Sequence, residues 1–230
     1  MSYIGLLGGS FNPVHIGHIR LALEVLEYNE LPMPIERVDL VPCAIPAHKQ
    51  PNTLLPFEIR FAMLKATCEN ISGLYVNDIE SKRIGKSYTW QTLAEYTKII
   101  PDKRLLFIIG MENLIDLEKW QRGLELHHFA DIAIVPRANK DKNIFQKKII
   151  EYWPQALINN KKNPVAHLVN GEKNANIFYM PLPRIDISST YIRKRWLAGY
   201  STYALIPNEA QKILNQFKDK SKIYWNGKIK

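Results

Sequence analysis

The sequence predicts an α/β protein built on a doubly wound parallel sheet, with a small helical region at the C-terminal end. Three observations carry this. Short apolar runs alternate with longer segments of helical apolar spacing. The first run, Tyr3–Leu7, passes through a glycine-rich turn directly into such a helical segment. The resulting βαβα rhythm calls for a parallel sheet covered on both faces, with ligands held at the carboxyl ends of the strands.

Taken in order, Tyr3–Leu7 reads as a buried strand and His18–Tyr28 as a helix. Arg37–Val41 reads as a second strand, Phe57–Cys68 as a helix and Leu74–Val76 as a short strand. A helix over Tyr88–Ile99 precedes two strongly apolar strands, Leu105–Ile109 and Asp131–Val135. From Ala138 to Asn176 the chain turns polar, with a helix predicted over Ile144–Leu157 and an Asn/Lys-rich loop at Asn159–Asn163. This stretch reads as an elaboration of the sheet. Ile177–Met180 is the last predicted strand, followed by helices near Ser189–Ala198 and Pro207–Phe217. Asp219–Lys230 has no periodicity and reads as a basic tail.

The chain has 230 residues, 46% of them apolar, which suits one domain with a well-filled core. The expected organisation is one domain over residues 1–218. It includes the 138–176 elaboration and a helical part at 187–218, with the tail at 219–230 after it. Two cysteines, Cys43 and Cys68, have no metal spacing and make no disulfide framework, so a reducing cytoplasm is the expected compartment. No signal peptide is expected, and no run approaches the roughly 18 apolar residues of a membrane span. The net charge of +9 is uneven: residues 1–137 hold 14 Lys/Arg against 16 Asp/Glu, and residues 138–230 hold 17 against 6. The lysines fall in polar loops and the tail without interleaved aromatics. They read as solvated groups that also attract polyanionic substrates from a distance. A nucleic-acid-binding module is the competing class, and its mark would be a salt-steep affinity.

The chemistry concentrates in Gly8-Gly9-Ser10-Phe11-Asn12-Pro13-Val14-His15-Ile16-Gly17-His18. Glycines between a strand and a helix free backbone N–H groups to face an anion, and the helix start adds partial positive charge. His15 and His18, three apart at that start, point the same way. Gly17 between them has no side chain to obstruct a ligand. These residues converge on a phosphate. A second segment, Ile187-Ser188-Ser189-Thr190-Tyr191-Ile192-Arg193, places a serine N-cap (Ser188 or Ser189) ahead of a helix carrying an arginine, whose forked donors suit phosphate oxygens.

Together these strings resemble the nucleotidylyltransferases with an H-x-G-H pair after the first strand of a Rossmann-like fold. Most closely they resemble the bacterial nicotinate-nucleotide adenylyltransferases. The resemblance implies that His15, His18 and Arg193 are catalytic. It further implies that Gly8, Gly9, Ser10, Phe11, Gly17, Ser188 and Ser189 hold ATP. Pro46-Ala47-His48-Lys49 matches the family's P-x-H-[KR] loop, which puts His48 and Lys49 on the ATP phosphates. Ser87-Tyr88-Thr89-Trp90-Gln91-Thr92-Leu93 matches its S-Y-T block, which assigns Tyr88 and Thr89 to the nicotinate carboxylate. Phe107-Ile108-Ile109-Gly110-Met111-Glu112-Asn113-Leu114 resembles a further block that brings Gly110 and Glu112 to ATP. Trp120 stands at the spacing of the aromatic that stacks on the pyridine ring, and Arg137 matches an arginine at the ATP end of the cleft.

Three positions depart from the family pattern: Ala47 stands where Pro is frequent, and Glu112 and Asn12 each stand where Asp is usual. The implied reaction joins nicotinate mononucleotide to ATP. Mg²⁺ accompanies the triphosphate through its own oxygens and water, and no metal ligand is assigned to the protein. A nicotinamide-mononucleotide adenylyltransferase or another small-molecule adenylyltransferase of the same kind is the alternative. No membrane partner is expected, and a homo-oligomer is compatible with this reading.

Overall fold

A computed structural model describes residues 1–47, 53–136, 141–159, 162–170, 173–183 and 185–227. Its strands are β1 (Tyr3–Gly9), β2 (Ile35–Pro42), β3 (Leu74–Val76), β4 (Arg104–Gly110), β5 (Asp131–Val135), β6 (Leu157–Asn159), β7 (Val165–Asn170) and β8 (Lys173–Tyr179). Its α-helices are α1 (Ile16–Leu26), α2 (Phe57–Cys68), α3 (Thr89–Ile99), α4 (Met111–Ile115), α5 (Asp141–Tyr152), α6 (Ser189–Leu197), α7 (Asn208–Gln216) and α8 (Lys218–Trp225). The strands form one sheet in the order β3-β2-β1-β4-β5-β8-β7-β6. Pairs β2–β3, β1–β4, β4–β5 and β5–β8 are parallel, while β8–β7 and β7–β6 are antiparallel. This is the predicted α/β architecture. Leu105–Ile109 and Ile132–Val135 are buried at every position, as strands covered on both faces require.

The chain divides into two compact units. One comprises Met1–Leu7, Glu27–Glu36 and Tyr88–Pro183; the other comprises Gly8–Leu26, Arg37–Ser87 and Arg184–Lys230. In the first, Leu6 registers with Phe107 and Phe107 with Ile132, so β1, β4 and β5 run in step. In the second, β2 pairs with β3 and α7 packs on α2. Among the described residues no helix is long and apolar enough to cross a membrane.

Three predicted elements need correction. The helix placed at Ile144–Leu157 is α5 and stops at Tyr152, because Pro154 disfavours helical backbone in the residue before it. Leu157–Asn159 is instead β6, paired with β7, and β7 returns into β8, which begins well before the predicted Ile177. Along β7, Ala166 and Leu168 are buried while His167 and Val169 face solvent, a strand alternation hidden by the polar composition. The two residues between β7 and β8 in the sequence, Gly171-Glu172, open with glycine, and a two-residue Gly-X link is a sequence signal for a hairpin. Finally, the tail from Asp219 is not featureless. Lys218–Trp225 is helical, with Ser221 and Trp225 buried four residues apart. One of those two inward residues is a serine, so apolar periodicity had little to register.

Candidate active site

In the second unit the chain leaves β1 at Gly8 and Gly9 and turns through Phe11, whose φ of +44° is left-handed backbone that a bulky residue rarely adopts. Such a conformation costs on the order of 1–3 kcal/mol and persists where its surroundings enforce it. Here the ring is 1% exposed and packs edge-on against His18 with centroids 4.9 Å apart. Gly9 makes room for it: a Cβ there would lie 3.2 Å from the Phe11 ring. Gly17 is needed for a related reason, since a Cβ would sit 2.8 Å from Ile187 Cγ2 and 3.1 Å from His15 Nδ1. Phe11 thus enters the site as a buried support for His18.

The two predicted histidines are brought together. Their rings stack with centroids 3.6 Å apart and planes inclined by 21°. The His15 backbone N–H donates to His18 Nδ1 at 3.2 Å, which makes Nδ1 the acceptor and leaves the His18 proton on Nε2. His15 is 6% exposed, and its Nδ1 has no hydrogen-bond partner among the described residues. Burial pushes the His15 pKa down from 6.5 to about 4, so the ring is neutral at pH 7. A buried nitrogen left without a partner costs about 1–3 kcal/mol.

α6 reaches the same turn. Ser188 is the N-cap, its hydroxyl accepting from Tyr191 N, which resolves the choice between Ser188 and Ser189. Ser189 Oγ donates to the Pro13 carbonyl at 2.9 Å, and Arg193 Nη1 donates to the Asn12 carbonyl at 2.7 Å. Arg193 Nη2 also donates to Thr190 Oγ1, so its fork is oriented before any ligand arrives. Burial lowers the guanidinium pKa from its ordinary value. The donors gathered here are imidazole N–H, hydroxyl and guanidinium groups, a set matched to anionic oxygens rather than to a cation. Among the described residues no three His, Cys, Asp or Glu side chains converge to hold a metal.

Three residues of this region escaped the sequence reading. Arg60, on α2, is 1% exposed and donates to three carbonyls: Leu55 at 2.8 Å, Ser10 at 2.9 Å and Ala44 at 3.4 Å. It ties the turn after β1 to the loop after β2. Its signal was a basic residue inside the buried stripe Ile59, Met63, Leu64. Ser87 does not cap α3, whose N-cap is Tyr88; its hydroxyl accepts from the N–H groups of Ala44 and Ile45. Trp225 on α8 donates from Nε1 to Asn12 Oδ1 at 3.1 Å. A single tryptophan in a lysine-rich tail was its only mark.

In the first unit, Tyr88 and Thr89 open α3, whose first N–H groups lack acceptors within the helix as in any α-helix. Trp90 Nε1 donates to Gln121 Oε1 at 3.0 Å, and Arg122 lies 4.6 Å from the Trp90 ring centroid. This brings the Tyr88–Thr89 segment to the Trp120 segment, and Trp120 is half-buried. Gly110 is the N-cap of α4, and the Glu112 carboxylate folds back over it. His48, Lys49 and Arg137 lie outside the described residues.

Comparison with known proteins gives a consistent result. A profile of the cytidylyltransferase-like family matches residues 6–195. A curated protein of Maridesulfovibrio salexigens, named "Probable nicotinate-nucleotide adenylyltransferase", is 31% identical, with 96% of this chain and 99% of that protein covered. A protein of the same name from Shewanella sp. (strain W3-18-1) is 35% identical, with 89% of this chain and 93% of that protein covered. Among solved structures, the Plasmodium falciparum nicotinic acid mononucleotide adenylyltransferase complexed with NaAD superposes with a TM-score of 0.70. Identity to it is 18%, over 96% of this chain and 98% of that one, which is a likeness of fold.

Proposed function

This chain belongs to the cytidylyltransferase-like family, and from that premise we propose that it joins nicotinate mononucleotide to ATP, yielding nicotinate adenine dinucleotide and pyrophosphate. The name shared by its curated relatives over nearly their whole length supports this reading. The observation that carries it is the turn after β1: two stacked imidazoles, one with its proton fixed on Nε2, beside an arginine already braced on the same turn.

The mononucleotide's phosphate oxygen attacks the α-phosphorus of ATP in line, and the bond to pyrophosphate breaks. No protein nucleophile is needed, because the attacking phosphate is already an anion. The chain's task is alignment and neutralisation of charge. Aligning two bound substrates contributes on the order of 7–11 kcal/mol. His18 Nε2–H donates to the α-phosphate and strengthens as charge builds there. His15, kept neutral by burial, gives a second N–H to the same group. Arg193 takes the departing phosphates. Gly8, Gly9, Ser10 and Gly17 let the nucleotide approach the backbone, with Ser188 and Ser189 at the start of α6. His48, Lys49 and Arg137 add positive or N–H donors, and Gly110 and Glu112 complete the ATP side. Tyr88 and Thr89 at the start of α3 receive the nicotinate carboxylate, and Trp120 stacks on its ring.

Mg²⁺ enters with the triphosphate as part of the substrate, since the donor set of the turn suits anions. It supplies charge neutralisation on the phosphates. The compartment we assign is the cytoplasm, in keeping with Cys43 and Cys68 both being free thiols.

The test is pyrophosphate release from ATP with nicotinate mononucleotide and, in parallel, with nicotinamide mononucleotide. The acid is expected to give the higher kcat/KM. Equal values would undo the choice of acid, and no release with either would undo the reaction. A strong chelator is expected to abolish turnover, and undiminished activity would contradict the role given to Mg²⁺.

A further inference from the structure

We propose that Trp225, on the C-terminal helix α8, is a positioning residue for adenylyl transfer: through Asn12 it holds the turn that presents His15, His18 and the carbonyl gripped by Arg193. The proposal rests on the functional reading above and adds to it a residue beyond the 6–195 that the family profile covers.

Asn12 is 4% exposed, and its side chain is held from three directions. Its Oδ1 accepts from Leu55 N at 3.2 Å and from Trp225 Nε1 at 3.1 Å, while its Nδ2 donates to the Thr53 carbonyl at 2.7 Å. Two N–H donors on one atom and a carbonyl on the other admit a single orientation of the amide. A flipped amide would set NH₂ against two donors. The same residue's carbonyl takes Arg193 Nη1 at 2.7 Å. Asn12 is therefore where the 53–55 segment, α6 and α8 meet, three residues ahead of His15. This also accounts for the departure from Asp noted in the sequence. A carboxylate would place a second oxygen against the Thr53 carbonyl at hydrogen-bond distance, with no proton to share.

Trp225 is built to hold its end. It is 6% exposed, and its ring meets Trp196 of α6 edge-on, with centroids 5.0 Å apart at 85°. The indole is wedged so that its N–H points at Asn12. Removing that donor leaves Oδ1 with Leu55 N alone and cuts the hydrogen bond that ties the Asn12 amide to α8, so the amide keeps its sense but loses one of the three contacts that fix its position. The turn it anchors carries two phosphate donors whose alignment governs the rate, and small misplacements there are costly.

The test compares the full-length parent with Trp225→Phe, which keeps an aromatic ring and removes the N–H. In the pyrophosphate-release assay kcat is expected to fall threefold to tenfold, with KM for each substrate within twofold and Tm within about 3 °C. The five tryptophans should give five indole N–H resonances in a ¹⁵N-labelled sample. The one missing from the variant is that of Trp225. In the parent it is expected to shift on addition of a non-hydrolysable ATP analogue. A kcat within 1.5-fold of the parent overturns the proposal, and so does a loss of activity that only follows a loss of Tm. Should the variant fail to fold, the parent's Trp225 resonance, assigned by sequential experiments, decides the matter: a shift supports the proposal and an unmoved peak overturns it. A parent that releases no pyrophosphate strikes instead at the functional reading.

Discussion

Two buried polar clusters, one in each unit, are built on opposite terms. In the first unit, Asp131 is 1% exposed at the start of β5 and every donor around it is answered. Tyr3 OH donates to it at 2.5 Å, Arg104 donates twice at 2.7 Å, and Asn176 N donates at 2.7 Å. These groups sit on the opening residues of β1, β4 and β5 and on β8, so the cluster pins four strands. Burial and the neighbouring carboxylate hold the Tyr3 hydroxyl protonated far above its ordinary pKa. In the second unit the turn after β1 holds a strained Phe11, a His15 Nδ1 with no hydrogen-bond partner among the described residues, and an Arg193 fork braced on the Asn12 carbonyl and Thr190. The first arrangement spends its polar groups on the fold. The second carries backbone strain at Phe11 and a buried nitrogen with no partner among the described residues, the turn at which we propose a ligand is held.

The comparison breaks most sharply at Asp131. Asp131→Ala strands Arg104 and the Tyr3 hydroxyl and should cost about 3 kcal/mol of stability, near the low end for a broken buried pair because Arg104 is partly exposed. Its kcat/KM, measured at a temperature where the variant is folded, should stay within twofold. His18→Ala should do the reverse. It is expected to lower kcat at least about a hundredfold, as for loss of one oxyanion donor, with only about 1 kcal/mol of stability lost from the His15 N–H that gives up its acceptor; a kcat within threefold would rule out the role given to His18. Arg193→Lys keeps the charge but loses the fork, and kcat/KM for ATP should fall about tenfold to thirtyfold, with a stability loss no larger than that of His18→Ala.

The smallest effect is a pH dependence of stability. Unfolded, His15 takes a proton below about pH 6.5; folded, it resists until about pH 4. The unfolded state binds more protons in that window, so the stability present above pH 6.5 is lost progressively as pH falls toward 4. From pH 7 to 5.5 the share owed to His15 is about 1 kcal/mol. Denaturant titrations at the two pH values should show a slope that His15→Gln reduces, and an identical slope in the variant would contradict the burial argument.

The same division explains what the sequence could reveal. The parallel core was legible because β1, β4 and β5 are continuous apolar runs and α1 and α2 carry clean buried stripes. The hairpin of β7 and β8 was hidden because its exposed positions mix His167 and Asn174 with the apolar Val169, which blurs the alternation, and β6 is only three residues long. The pairing of His15 with His18 was legible because it is local: two histidines on one side of a helix start, which the structure stacks on each other. What holds them was not. Arg60, Ser87 and Trp225 act on Ser10, Ala44 and Asn12 from far along the chain, and no local pattern encodes a contact between residues 12 and 225.

His15, His18 and Arg193 are proposed to serve one triphosphate. A crystal structure of the full chain with a non-hydrolysable ATP analogue tests this directly. It is expected to show the two imidazoles within about 3 Å of α-phosphate oxygens and the Arg193 fork on the phosphates beyond. Phosphates bound elsewhere, or those three side chains left untouched by the nucleotide, would contradict it.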